Sequence, residues 1–232
     1  MKRGLFFLVG LCVTGIVSAQ PSGPSGFDAN ANLANATSSG FRSFDNRYAG
    51  VKGGSMVFED FVYGNVNMTN GERAEGQELN YDVITKELIV RSRIYKRVLA
   101  VRRDLVNYFE LIDSKGDTLV FKKITDKGYH HAIYEGQNVK MYMQYTKQLV
   151  KASYGGAYNA NAKNYDEFVE VNSFMISSNG EPIEEIKPVR KALEKKFPEK
   201  KEAIQVYFKE HKPDLKNFKE MKAFIAYLDK NS

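Results

Sequence analysis

Two adjacent histidines, three neighbouring carboxylate pairs and a group of tyrosines are the residues of this 232-residue chain whose types and spacing bear on chemistry. His130 and His131 fall in a strand-like run, where successive side chains point to opposite faces, so the pair cannot close on one metal. His131 and Glu135 share a face, but four strand residues separate them by roughly 13 Å. That is too far for a single ion. The residues imply no metal and no other cofactor. Glu59-Asp60, Asp166-Glu167 and Glu184-Glu185 diverge in the same way, whereas a glycosidase needs two carboxyls facing each other across a cleft. Asp166, beside Tyr165 and near Glu170, is the best acidic candidate. A hydrolase built on it needs a second carboxylate or a histidine converging there; turn or capping duty is the competing reading. Nucleophile signals are missing. The chain has no G-x-S-x-G elbow, and Gly155-Gly156 lacks the Gly-Lys-Ser/Thr ending of a phosphate loop.

The tyrosines Tyr142, Tyr145, Tyr154, Tyr158 and Tyr165 lie close together in the chain. Aromatic rings with a polar tip suit protein interfaces and sugar stacking, and they also suit plain strands. The stretch 152–164 mixes Tyr, Gly and Asn as adaptable binding loops do. With Asp166, these five tyrosines form the candidate ligand or partner contact. The densest basic run (Lys187, Arg190, Lys191, Lys195, Lys196, Lys200 and Lys201) is interrupted by Glu194, Glu199 and Glu202 at spacings that allow i, i+4 pairs. It reads first as a solvated helix face and second as an anionic-surface contact.

The elements that must position these residues begin after an address label. Met1 to Gly4 carry two positive charges, Leu5 to Val17 are mostly apolar, and Ser18-Ala19 precede Gln20. This is the plan of a secretory signal peptide, residues 1–19, too short to cross a bilayer comfortably. Its removal takes away Lys2 and Arg3 and lowers the formal charge from +6 to +4. That excess is too small to demand a nucleic-acid partner. The sole cysteine, Cys12, leaves with it and follows Leu11, not a small residue, which argues against lipidation. The exported chain then has no disulfide and relies on its apolar core. It contains no helical segment long enough for a transmembrane anchor. The expected location is the periplasm, or the outer membrane or extracellular side.

Residues 20–45 are rich in Pro, Ser, Gly, Asn and Ala and read as a flexible leader, with Phe41 and Phe44 marking where docking starts. Gly50, Gly53 and Gly54 open the ordered body. The antiparallel β-domain is read over 46–187; within it, from Ser55 to Ile186, two-residue alternation prevails, broken by Asn70-Gly71, Lys115-Gly116-Asp117, Lys127-Gly128, Glu135-Gly136 and Asn179-Gly180. The strand-like runs are Met56 to Asn67, Leu79 to Ile84, Glu87 to Val101, Leu105 to Ile112, Thr118 to Ile124, Tyr129 to Tyr134, Val139 to Val150 and Glu167 to Ser177. Val139, Met141, Met143 and Tyr145 share one face, as in a strand with one side in a core. Such frequent turns predict an antiparallel meander curled into a barrel-like or sandwich body. From 188 to 232 the period becomes helical. Pro188 and Pro198 suit first turns, and Val189-Leu193-Phe197 and Phe218-Met221-Ile225-Leu228 form apolar stripes. Asn217 to Glu220 looks like a capping box. Three short helices packed on the β-domain are expected, giving a mainly β fold with a helical C-terminal tail.

Asn46-Arg47-Tyr48-Ala49-Gly50-Val51-Lys52-Gly53, Leu79-Asn80-Tyr81-Asp82, Tyr134-Glu135-Gly136, Tyr165-Asp166-Glu167-Phe168 and Phe197-Pro198-Glu199-Lys200-Lys201 occur in this order. In that order the chain resembles a family of exported proteins from Bacteroidetes-type bacteria to which no activity is attached. The resemblance implies an exported β-domain with a helical tail and brings no catalytic residue. The sequence therefore leads to a non-enzymatic envelope protein acting as a binding or interaction module, its partner an envelope protein or a glycan or lipid component. The alternatives are a carrier enclosing an apolar or glycan-like ligand in a curved sheet, and the hydrolase. A carrier requires a cavity along the Met141, Met143 and Tyr145 face.

Overall fold

The computed structural model describes residues 41–45, 47–126, 128–152 and 164–230. The expectations for the signal segment and for most of the leader lie outside them. Among these residues there are thirteen strands: β1 (Phe41–Ser43), β2 (Val62–Met68), β3 (Arg73–Asp82), β4 (Glu87–Ser92), β5 (Arg97–Val101), β6 (Val106–Ile112), β7 (Thr118–Thr125), β8 (Gly128–Glu135), β9 (Val139–Gln144), β10 (Lys147–Val150), β11 (Glu167–Glu170), β12 (Ser173–Ser178) and β13 (Glu184–Ile186). Helices α1 (Arg190–Lys196), α2 (Lys201–His211) and α3 (Phe218–Lys230) follow. All strands but β10 and β11 join one sheet in the order β1-β5-β4-β3-β2-β6-β7-β8-β9-β12-β13, antiparallel throughout. Pairing already starts at Phe41, inside the stretch read as leader. Among the described residues no helix is long and apolar enough to cross a membrane.

The sheet is two antiparallel meanders, β2 to β5 and β6 to β9, joined by a crossover that sets β6 beside β2, where one continuous meander was expected; its curl follows from the sequence pattern. One cross-strand row runs Ala74, Val66, Phe109, Phe121, His131, Met143, Phe174, Ile186, and every member is buried. Directly opposed residues project to the same face, so this row marks a continuous apolar surface. Four strand-to-strand steps separate β3 from β8, a distance of roughly 19 Å in a flat sheet. Yet the Tyr81 ring of β3 lies 5.9 Å from that of Tyr129 in β8, and the Tyr129 amide donates to the Tyr81 hydroxyl at 3.2 Å. The sheet is therefore rolled up on its apolar face, with bulges in β7–β8 and β8–β9 adding bend. The edges β1 and β13 do not meet, so the body is an open curl; it is neither a closed barrel nor a two-sheet sandwich.

The roll covers only part of the row. Beyond His131, the face made by Val139, Met141, Met143, Phe174 and Ile176 packs under the helices, against Leu193, Phe197, Ile204, Met221, Phe224, Ile225 and Leu228. The space a carrier needs beside Met141 and Met143 is thus filled by side chains.

One carboxylate locks this cover in place. At the end of α3, Asp229 accepts hydrogen bonds from the amides of Gln137 (3.1 Å), Asn138 (2.8 Å) and Val139 (2.8 Å) and from the Tyr134 hydroxyl (2.9 Å). Gly136 makes room for it, since a Cβ there would stand 2.1 Å from the carboxylate. Capping sets the other end. Asn217 Oδ1 accepts from Lys219 at 3.0 Å, as expected, while Glu220 reaches past Asn217 to the Asp214 amide at 2.7 Å. Pro188 stays outside the helix, because Val189 is the N-cap of α1; Pro198 opens the 3-10 turn before α2.

Several strand boundaries differ from the sequence reading. The run Glu87 to Val101 is two strands, because residues 93–96 form a turn with Lys96 at φ +51°. Only residues 62 onward of the run from Met56 pair as β2. Asn179 and Gly180 both have positive φ, as a type I′ turn requires, whereas at Asn70-Gly71 only the glycine does. There Asn70 instead accepts the Glu72 amide at 3.0 Å.

Two groups make stability depend on acid in separate windows. Burial, then the nearby Lys222 ammonium, holds the His131 imidazole down to about 4. The unfolded chain takes up this proton near pH 6.5, so stability falls between pH 6.5 and 4, by about 3 kcal/mol in all. His131→Phe should flatten that limb in urea titrations run across this range. Burial works to raise the Asp229 carboxyl, but its hydrogen bonds from Asn138, Tyr134, Val139 and Gln137 outweigh this and hold it below the usual range. Its contribution is present above the ordinary carboxylate pKa and is lost as pH falls below it. Asp229→Ala should cost about 2 kcal/mol at pH 7, and the deficit should shrink in acid.

Candidate functional site

The hairpin that would carry the tyrosine loop does not stay in the sheet. The runs Val139 to Val150 and Glu167 to Ser177 are each broken, at 145–146 and 171–172, and the two breaks lie opposite one another. Thr146 donates its amide to Asn172 Oδ1 at 3.0 Å and accepts the Val171 amide on its carbonyl at 2.9 Å. Below the break, β9 and β12 belong to the main sheet; above it, β10 and β11 form a separate two-stranded ribbon. A lone ribbon of this kind is marginal by itself, and the chain supplies a support. The lead-in segment 47–59 lies along β11: Lys52 donates to the Asp166 carbonyl at 3.3 Å and accepts from Phe168 at 2.8 Å. Tyr48 meets the Phe168 ring edge-on at 5.3 Å. Gly53 is needed for the approach, because a Cβ would sit 2.6 Å from the Phe168 carbonyl.

Lys147 fastens the arrangement. Its ammonium donates to the carbonyls of Gly53 (2.7 Å), Gly54 (3.1 Å) and Met56 (2.7 Å). Burial pushes this amine below its ordinary range, against the opposing pull of Glu170, Asp82 and Glu59. Between lead-in and ribbon lies a cleft of 550 Å³, lined by Phe44, Tyr48, Met56, Phe58, Glu59 and Glu170 among others. On the ribbon's outer side Val150 and Val169 stand exposed, with Val171 and Tyr165 exposed beside them, each more than 40% accessible.

Of the contact residues read from the sequence, the structure brings Tyr165 and Asp166 to this ribbon. Tyr165 stacks under the Lys52 ammonium at 4.9 Å, and the two share a 3.2 Å hydrogen bond. Asp166 accepts the Ala152 amide at 2.9 Å and pairs with Lys151 at 2.9 Å, which together lower its pKa. Its role here is to tie the chain entering β11 to the chain leaving β10. Glu170 lies four residues further along the extended chain, roughly 13 Å away, and among the described residues no other carboxylate and no histidine bears on the Asp166 carboxyl. Among the described residues no group of three metal-ligating side chains exists.

Tyr142 and Tyr145 do not join the contact surface. Tyr145 is part of the core, its ring 5.7 Å from Phe121 and 6.1 Å from His131, and burial raises its phenol. Tyr142 is buried on the opposite face and donates to Glu135 at 2.9 Å; burial, then that bond, raises its phenol too. Tyr154 and Tyr158 lie outside the described residues. Lys147 went unrecognised in the sequence because it reads there as one more polar member of an alternating strand. Gly53-Gly54 gave the only hint that backbone would approach closely.

No family model, no curated protein and no solved structure matches the chain.

Removing the ammonium of Lys147 while keeping its stem tests whether it fastens the lead-in. Lys147→Met should cost about 2 kcal/mol and raise amide hydrogen exchange across residues 51–58. Unchanged exchange there would mean that the segment is held by the Phe168 pairing alone.

Proposed function

We propose that the chain is an exported, non-enzymatic module of the cell envelope that binds a protein partner through the outer face of the β10–β11 ribbon. The observation that carries this is the placement of Val150, Val169, Val171 and Tyr165. Val150 and Val169 are exposed on an element outside both packed cores, Tyr165 is exposed where β11 begins, and Val171 at the break where it ends. Clustered exposed apolar side chains on a projecting, braced element are what a contact surface needs. The signal-like residues 1–19 support export, and the lone, salt-bridged Asp166 supports a role other than hydrolysis.

A carrier function is favoured by a different feature, the cleft between lead-in and ribbon. Phe44, Tyr48 and Phe58 offer an apolar wall, and Glu59 and Glu170 a polar one, for one small molecule.

Photo-cross-linking in native cells separates the two. A cross-linker at Val169 should give a discrete protein adduct that Val150→Glu removes, while the same group at Val206, equally exposed on α2, gives none. Adducts of equal yield at both positions, or survival of the Val169 adduct in Val150→Glu, would exclude the ribbon as the contact face.

A further inference from the structure

A second concavity, of 510 Å³, lies where the 3-10 turn Arg103–Leu105, the end of β7 and the edge strand β1 meet. It shares no lining residue with the cleft. Three cations line it: Arg42, Arg103 and Lys123. Arg103 and Lys123 are neighbours of like charge. The Lys123 ammonium donates to the Arg103 carbonyl, and the Arg103 guanidinium donates to the Asp126 carbonyl at 3.3 Å. Both partners are backbone carbonyls, so among the described residues neither cation is paired with a carboxylate. Burial, then the adjacent Arg103, pushes the Lys123 amine down, against a weaker opposing pull from Asp104.

The acidic residues lining the pocket offset this pair only in part. Asp104 is occupied by Arg102, which donates to both of its carboxylate oxygens. Asp126 also lines the pocket and offers Arg103 its carbonyl; among the described residues its carboxylate forms no ion pair with either cation. Arg42 pairs with Glu87 at 2.8 Å, yet its side chain stays 58% exposed. Arg103 is half-buried and Lys123 exposed at the rim; two like charges side by side at a hollow repel one another, and an anion between them relieves the repulsion. A guanidinium fork beside an ammonium fits the oxygens of a tetrahedral dianion.

We propose that this pocket binds a phosphate group, either free phosphate or the phosphate of a lipid headgroup. The inference stands apart from the ribbon reading and survives if that reading fails.

The test titrates the full chain with inorganic phosphate and, separately, with phosphatidylcholine vesicles containing phosphatidic acid. Inorganic phosphate should shift the backbone amide resonances of Arg103, Thr125 and Asp126 saturably, with an affinity that falls as salt rises. Arg103→Gln should weaken binding about tenfold, Arg42→Gln by less, and Asp126→Asn should strengthen it by removing a competing charge. Lys151→Gln, outside the pocket, should change nothing. If a headgroup is the source, vesicle flotation shows the same order of variants while inorganic phosphate binds weakly. Absence of binding in both arms overturns the proposal, and so does an equal loss in Lys151→Gln and Arg103→Gln.

Discussion

One apolar face, continuous across eight strands from Ala74 to Ile186, is the constraint from which the architecture follows. A sheet that long cannot leave such a face in water, and it cannot cover the whole face by curling. The chain uses both available solutions. Its first half rolls until Tyr81 reaches Tyr129, and its second half is roofed by three helices. His131 marks the joint. Its ring stacks against Phe121 of the rolled half and meets Phe218, the first residue of α3, edge-on at 5.7 Å. A neutral imidazole there is the only polar member of the row, which is why the joint between the two halves is the first place where falling pH acts.

The helical roof is amphipathic and would slide on a greasy surface if packing alone held it, because apolar contact is not directional. Asp229 removes that freedom. It gathers three consecutive amides of the β8–β9 turn, groups that otherwise face solvent at a sheet end, and so sets the register of α3 against the sheet. Lys200 acts at the same helix end, donating to the Leu228 carbonyl at 3.0 Å from a buried position. Polar contacts thus decide geometry where hydrophobic burial supplies most of the stability.

Legibility in the sequence followed how local each cause was. Glycine turns were readable because positive φ is a property of the residue, as at Asn179-Gly180. The alternation of Val139, Met141 and Met143 was readable because a strand's period is two. The turn at 93–96 was hidden, since Ile94 and Tyr95 are strand formers and Lys96 carries no mark of its left-handed φ. The break at 145–146 was hidden for a different reason. It exists only because 171–172 breaks opposite it, a cause lying 26 residues away in the chain. The same holds for the candidate site. Tyr165 and Asp166 were found by residue type, but Lys147 acts through carbonyls of Gly53, Gly54 and Met56 that no spacing connects to it. Tyr145 was misplaced because alternation shows that a face is buried without showing what covers it.

Once both halves of the apolar face are consumed, little of the fold remains for recognition. The β9–β12 hairpin is longer than the roofed surface, so its far end has no face to pack on and turns outward as the ribbon. A two-stranded element projecting from a rigid sheet is free to differ in its outer residues without disturbing the core, and it keeps a fixed direction only if something braces its inner side. The lead-in does so through Lys147, Tyr48 and the Phe168 pairing, leaving Val150 and Val169 on the outer side. Bracing also suits the proposed contact, since a surface ordered in advance loses less entropy on docking. The positive-φ geometry of Gly50, Gly53 and Gly54 lets the lead-in follow the ribbon closely enough to do this.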